Sequence, residues 1–178
     1  MHETREREMT GEDETRDGPH RGRLSRERIV RTALRVMDAE GLDAVTMRGV
    51  GRELGVEAMS LYNHVRDKED LLDGVTEAVM AEFQPEASSG DWLVRGRMAA
   101  REWRRLLKTH PNVMTLLVER KHPMTSLDSL RPTEIALSIL RDAGLSERDT
   151  VRAFQSTGGY IFGFVMMEIG RASCRERV

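Results

Sequence analysis

Apolar residues recur three and four positions apart along most of the chain, with polar residues between them. That spacing predicts helices and no sheet. Ile29, Val30, Ala33, Leu34 and Met37 form the first stripe. A helix over Arg26–Glu40 accounts for it, with Ser25 as its cap, Glu27 in its first turn and Gly41 at its end. Val50 and Leu54 mark a short second helix that opens after Thr46 and stops at Gly55. A third runs from Ala58 to Val65, with Leu61 and Val65 inward. Asp67 caps a fourth, Lys68 to about Phe83, whose buried face is Leu71, Leu72, Val75, Val79 and Phe83; Asp70 makes an imperfect capping box with that cap.

Residues 84–90, with Pro85 and two serines, interrupt the pattern and are the predicted domain boundary. Asp91 then caps a helix reaching about His110, where His110-Pro111 breaks it. A short helix over Asn112–Arg120 and a loop over Lys121–Ser126 follow. Ile135, Leu137, Ile139 and Leu140 belong to a helix ending at Gly144, and Ser146 and Asp149 open a last one running to about Ile169. Residues 1–22 are polar, without periodic apolar positions, and read as a disordered arm. Residues 171–178 (RASCRERV) leave the apolar pattern in mid-helix; the reading there is an atypical tail, from a chain cut short or an artificial junction.

Two short helices joined at a glycine, the second with a polar and aromatic outer face, make a helix-turn-helix. Reading DNA needs side chains that reach base edges and others that hold the register on phosphate. Arg48 can fork onto a guanine and Asn63 can pair with an adenine. Met59 and Ser60 face outward beside them, toward base edges or a thymine methyl. Tyr62 and His64 suit phosphate oxygens, and Lys68 and Thr46 stand at helix N-termini, where free amides add to a phosphate clamp. Arg21 and Arg23, next to the first helix, are further phosphate candidates, as are one or two of Arg26, Arg28, Arg31 and Arg35 on its outer faces.

The segment from Thr46 to Leu72 reads T-x-R…L-G-V…L-Y-x-H-V-x-x-K-x-x-L-L, carried by Thr46, Arg48, Leu54, Gly55, Val56, Leu61, Tyr62, His64, Val65, Lys68, Leu71 and Leu72. It resembles the DNA-binding region of the TetR (tetracycline repressor) family of bacterial transcription regulators. Trp103, Arg104 and His110-Pro111, the turn Asp142–Leu145 and the stretch GYIFGF (159–164) are similar, more loosely, to that family's ligand-binding half. Together the two resemblances cover about residues 24–169. They imply an all-α protein: a helix-turn-helix DNA-binding domain over residues 24–84, including a linking fourth helix, and an incomplete helical domain over 91–169 that binds an effector and a second copy of the chain. The implied function is a repressor that binds a palindromic operator in double-stranded DNA as a homodimer and lets go when a small molecule binds. Met98, Trp103, Met114, Phe154, Phe162 and Met166 are the candidate pocket residues, and Gly158, Gly159 and Gly163 suit a close helix crossing at a dimer face or a kink over the pocket.

Composition narrows this picture. The net charge is −2 over 178 residues, so DNA contact must come from a local patch rather than a uniformly basic surface. The single cysteine, Cys174, excludes an internal disulfide framework. Without a signal core or a run near the ~20 apolar residues of a membrane span, the expected location is the cytoplasm, at the nucleoid. No Ser-His-Asp ordering, phosphate-cradling glycine loop or metal-spaced Cys/His set is present. No enzyme, cofactor or metal is therefore predicted. His122 and Glu168 give no clean match to a metal-assisted ligand site, so neither tetracycline nor magnesium is expected. A DNA-binding module without an effector, and a helical enzyme, are the competing classes.

Overall fold

A computed structural model describes residues 23–86, 90–119 and 126–175. Among these the chain is all-α, with no strand: α1 (Arg26–Glu40), a 3-10 turn (Leu42–Ala44), α2 (Met47–Leu54), α3 (Ala58–Leu61), α4 (Lys68–Ala81), α5 (Trp92–Thr109), α6 (Pro111–Glu119), α7 (Leu127–Asp142) and α8 (Glu147–Arg175). The helix starts follow local capping chemistry. The side chains of Ser25, Thr46, Asp67, Asp91 and Ser126 each accept a hydrogen bond from the backbone amide three residues on. Pro111 opens α6, where a missing amide proton costs nothing.

The core is continuous from one end of the fold to the other. Ile29, Met37, Val50, Leu61, Val65, Leu71, Val75 and Val79 belong to the same buried cluster as Leu106, Leu107, Val113 and Val165. α4 is the shared wall, lying against α1 on one side and α7 on the other, while α6 reaches back to α1 and α4. Polar ties reinforce that return. Asn112 Nδ2 donates to the carbonyl of Met37 over 2.8 Å, and the buried His110 places Nδ1 2.8 Å from Asp38 Oδ2 and Nε2 3.2 Å from Glu82 Oε2. His110 therefore does more than end a helix.

Three expectations change. The third helix stops at Leu61, not Val65. Beyond it the amides of Tyr62 and His64 bond three residues back, to Met59 and Leu61, so the backbone tightens into turns while Val65 still points inward. Arg26 is not free for phosphate: its guanidinium grips Asp70 on α4, with two 3.0 Å hydrogen bonds. The last helix, already expected to run through Gly158, Gly159 and Gly163, continues past Ile169 and Gly170 to Arg175. The arm over 1–22 lies outside the described residues, as do Arg21, His122, most of the loop over 121–126 and the end of the tail.

Candidate nucleic-acid interface and cavity

The helix-turn-helix is built by one buried seam and one tight turn. Leu61 is 0% exposed and Val65 2%, both in the core with Val50 and Leu54. Thr46 Oγ1 accepts from the amide of Gly49 at 2.9 Å, fixing the start of α2. Gly55 ends it in the left-handed region (φ 68°, ψ 32°). Its amide bonds Arg52 and that of Val56 bonds Gly51, the paired arrangement that closes a helix with glycine at this position. Gly51 sets how closely α3 can approach. A Cβ there would lie 3.0 Å from the Val56 carbonyl oxygen and 3.3 Å from the Ala58 amide nitrogen. The sequence reading missed Gly51; a glycine inside a helix, where it weakens the helix, was the available signal.

With Leu61 and Val65 turned in, their neighbours are turned out. Met59 is 72% exposed and Tyr62 47%. Thr46, Arg48, Asn63, His64 and Lys68 are exposed as well, and Ser60 is half-buried. Lys68 is the first residue of α4, directly after its Asp67 cap. Asp70 in the same turn also accepts from the Arg66 amide at 2.8 Å. Arg26, Asp70 and Arg66 thus tie the turn before α4 to α1. The Arg26 hydrogen bonds, ahead of that amide, hold the Asp70 carboxyl below the usual carboxylate range.

A second feature lies in the other half. A cavity of ≈ 440 Å³ opens between α5, α7 and α8, with Phe83 beyond the end of α4 and Leu117 and Val118 of α6 completing its wall. Trp103, Phe154 and Phe162 line it. Phe83 and Trp103 meet edge to face, ring centres 5.9 Å apart. The three methionines proposed with them are elsewhere. Met114 is packed in the core at 3% exposed, Met166 faces out at 56%, and the half-buried Met98 is not on the wall. A methionine suits core, surface and pocket alike, so helical spacing alone does not sort them. Two ion pairs brace the surrounding helices. Arg95 of α5 pairs with Asp142 of α7, and Arg104 of α5 grips Glu168 of α8 through Nε (2.8 Å) and Nη2 (2.5 Å). Glu168 is accordingly held below the usual carboxylate range by Arg104. Among the described residues no three His, Cys, Asp or Glu side chains converge as a metal site would require.

An all-helical chain with an N-terminal helix-turn-helix and a cavity-bearing helical half joins a DNA-binding motif to a space of small-molecule size. Comparison with known proteins agrees. Residues 29–75 match the family of bacterial regulatory proteins, tetR family, and residues 84–177 match the tetracyclin repressor-like C-terminal domain. The chain belongs to the TetR family. It is 31% identical over 156 residues to the HTH-type transcriptional repressor DrrR1 of Streptomyces coeruleorubidus, an alignment covering 86% of this chain and 57% of that protein. Among solved structures, the TetR family protein ActR of Streptomyces coelicolor in complex with actinorhodin superposes with a TM-score of 0.72 at 29% identity, covering 82% of this chain and 68% of that one. BioQ with its natural double-stranded DNA operator gives a TM-score of 0.73 at 25% identity, covering 86% and 91%. The chain spans about three fifths of the length of the first curated relatives it matches.

Proposed function

We propose that this protein is a transcriptional repressor that grips operator DNA with its helix-turn-helix and is released when a small molecule fills the cavity in its helical half. The observation that carries the reading is the outward set on one short segment. Met59, Tyr62, Asn63 and His64 are exposed around buried Leu61 and Val65, with Arg48 and Lys68 exposed on the helices to either side. In this reading Arg48, Ser60, Asn63 and Met59 meet base edges, while Thr46, Tyr62, His64 and Lys68 hold phosphates. BioQ with bound operator and ActR with bound actinorhodin support the two halves of the proposal.

The working unit is a homodimer, since one small reading head makes few phosphate contacts and two related heads fit a palindrome. Effector binding weakens DNA affinity by favouring a different spacing of the heads. The chain acts without catalysis, in the cytoplasm at the nucleoid. The test is a mobility-shift titration with the DNA upstream of the protein's own gene. A sequence-specific shift that a small molecule reverses is the expected result. Binding no stronger than to random DNA at the same salt overturns the operator reading, and a shift that no ligand reverses leaves a DNA-binding module without an effector.

A further inference from the structure

We infer that Asp70 is a positioning residue for DNA recognition: it sets how residues 62–68 are held against α1 without itself meeting DNA. The inference rests on the operator reading above. Past Leu61 the reading segment is made of turns, so no helical ladder holds it. The Asp70 carboxylate supplies a hold from outside the segment. Its Oδ1 and Oδ2 each accept from the Arg26 guanidinium of α1 at 3.0 Å, and Oδ2 also accepts from the Arg66 amide at 2.8 Å. Asp67 answers in the other direction, accepting from the Asp70 amide at 2.8 Å. The two acidic side chains thus close a reciprocal box. In the usual form the returning side chain takes the amide of the cap itself; here it takes the amide one residue earlier, next to Val65 of the reading segment.

The close approach of α1 to α4 makes this hold possible. A Cβ at Gly74, one turn beyond Asp70, would stand 2.7 Å from Val30 Cγ2 and 3.4 Å from Arg26 Nη2. The bare glycine lets α1 come near enough for the guanidinium to meet the carboxylate with two prongs, the strong and directional form of this pair. The Asp70 side chain is 13% exposed, whereas the Arg66 guanidinium lies open to solvent and 3.8 Å from Oδ1. An exposed pair at that distance adds little. What Arg66 gives the network is its amide. Pinned there, the turn presents Tyr62, His64 and Lys68 in one pose before DNA arrives, and the cost of ordering them is not taken from binding.

The test titrates variants of the full chain on the duplex upstream of the protein's own gene and on random duplex, at several salt concentrations. Thermal melting reports whether each variant is folded at the assay temperature. On charge alone, Asp70→Asn should bind both duplexes more tightly, because an anion leaves the head and Arg26 is released toward phosphate. The positioning role has the opposite sign: affinity for the upstream duplex falls about tenfold, with little change on random duplex. Arg26→Gln is expected to lose affinity alike, with an unchanged slope of log affinity against log salt. Arg26→Lys keeps the charge without the fork and should lie between Arg26→Gln and the parent. Where Asp70→Asn does not fold, Gly74→Ala takes its place, since it pushes α1 off α4 with no change of charge; the same loss is expected. Parent-like discrimination by Asp70→Asn, or by Gly74→Ala in its place, overturns the inference while the operator reading stands. So does an Arg26→Gln slope flatter by about one unit, which would put that guanidinium on phosphate. A parent that prefers neither duplex removes the operator reading and the inference together.

Discussion

His110 and Asp38 join the two ends of the fold: imidazole Nδ1 and carboxylate Oδ2 are 2.8 Å apart, across 72 residues of chain. The ring is buried, and its other nitrogen faces Glu82 at the end of α4. Among the described residues Asp38 Oδ1 has no hydrogen-bond partner, and His110 is the side-chain support that the carboxylate has there. Replacing His110 with Leu keeps the bulk but leaves a partly buried carboxylate unpaired. The expected loss is roughly 1–3 kcal/mol of unfolding free energy, the desolvation penalty of an orphaned polar group. Urea denaturation checks it. The double variant His110→Leu/Asp38→Leu is expected to recover part of the loss, because both partners are then apolar; a double variant worse than the sum of the singles would show that the pair is not what the ring supports.

Arg26 and Asp70 give the head a pH dependence whose sign is determined. Hydrogen bonds from Arg26, then from the Arg66 amide, lower the folded-state pKa of Asp70. A carboxyl depressed in the folded state contributes stability that is fully present above its unfolded pKa of about 3.9 and is lost as pH falls through the folded value. Asp70→Asn is therefore expected to lower stability by about 1–2 kcal/mol near neutral pH, the scale of a hydrogen bond to a charged group. The gap to the parent should close below about pH 4. Thermal melts of the two proteins from pH 7 to pH 3 measure it, and a gap constant across that range would show that the charge on Asp70 is not its source.

Gly51 controls the angle between α2 and α3. Its missing Cβ stands where one would press on the Val56 carbonyl and the Ala58 amide, which are backbone atoms that cannot swing aside. Gly51→Val should cost roughly 1–3 kcal/mol, the range for forcing bulk into a packed contact. Where the variant remains folded, α3 is displaced on α2 and operator affinity falls more than that of Gly158→Ala, which meets open space. Mobility-shift titrations of the two variants at one salt concentration decide this, with equal affinities counting against the role given to Gly51.

How much of this was legible in the chain depends on whether the signal was local. α1 was readable to the residue because Ser25, the apolar stripe and Gly41 are all local signals. The turn at Gly55 was readable for the same reason: a positive φ calls for glycine. The end of α3 was not, since Leu61 and Val65 are both buried whether the backbone between them is helical or made of tight turns. Periodicity carried α8 through Gly158, Gly159 and Gly163 to about Ile169, but not on to Arg175, because the apolar pattern ends there while the helix continues. The fate of Met98, Met114 and Met166 depends on which helices meet. Arg26 carried a phosphate reading because its partner, Asp70, is 44 residues away. Contacts at that separation are invisible to any pattern read along the chain.

The outward side chains of the head should divide into two kinds by their response to salt and sequence. Lys68→Ala removes one cationic phosphate contact, so binding should weaken on all sequences alike and the slope of log affinity against log salt should flatten by about one unit. Tyr62→Ala should weaken all sequences too, with a smaller change in slope because a phenol displaces no counterion. Arg48→Ala and Asn63→Ala should each cost about 1–3 kcal/mol on the operator and much less on random DNA, relaxing the preference at one base pair per half-site. Titrations of the four variants on operator and random duplexes at several salt concentrations separate these outcomes. If all four bind as the parent does, the reading face lies elsewhere on the molecule. If Arg48→Ala weakens operator and random DNA equally, its guanidinium sits on phosphate, and base recognition passes to the segment from Met59 to Asn63.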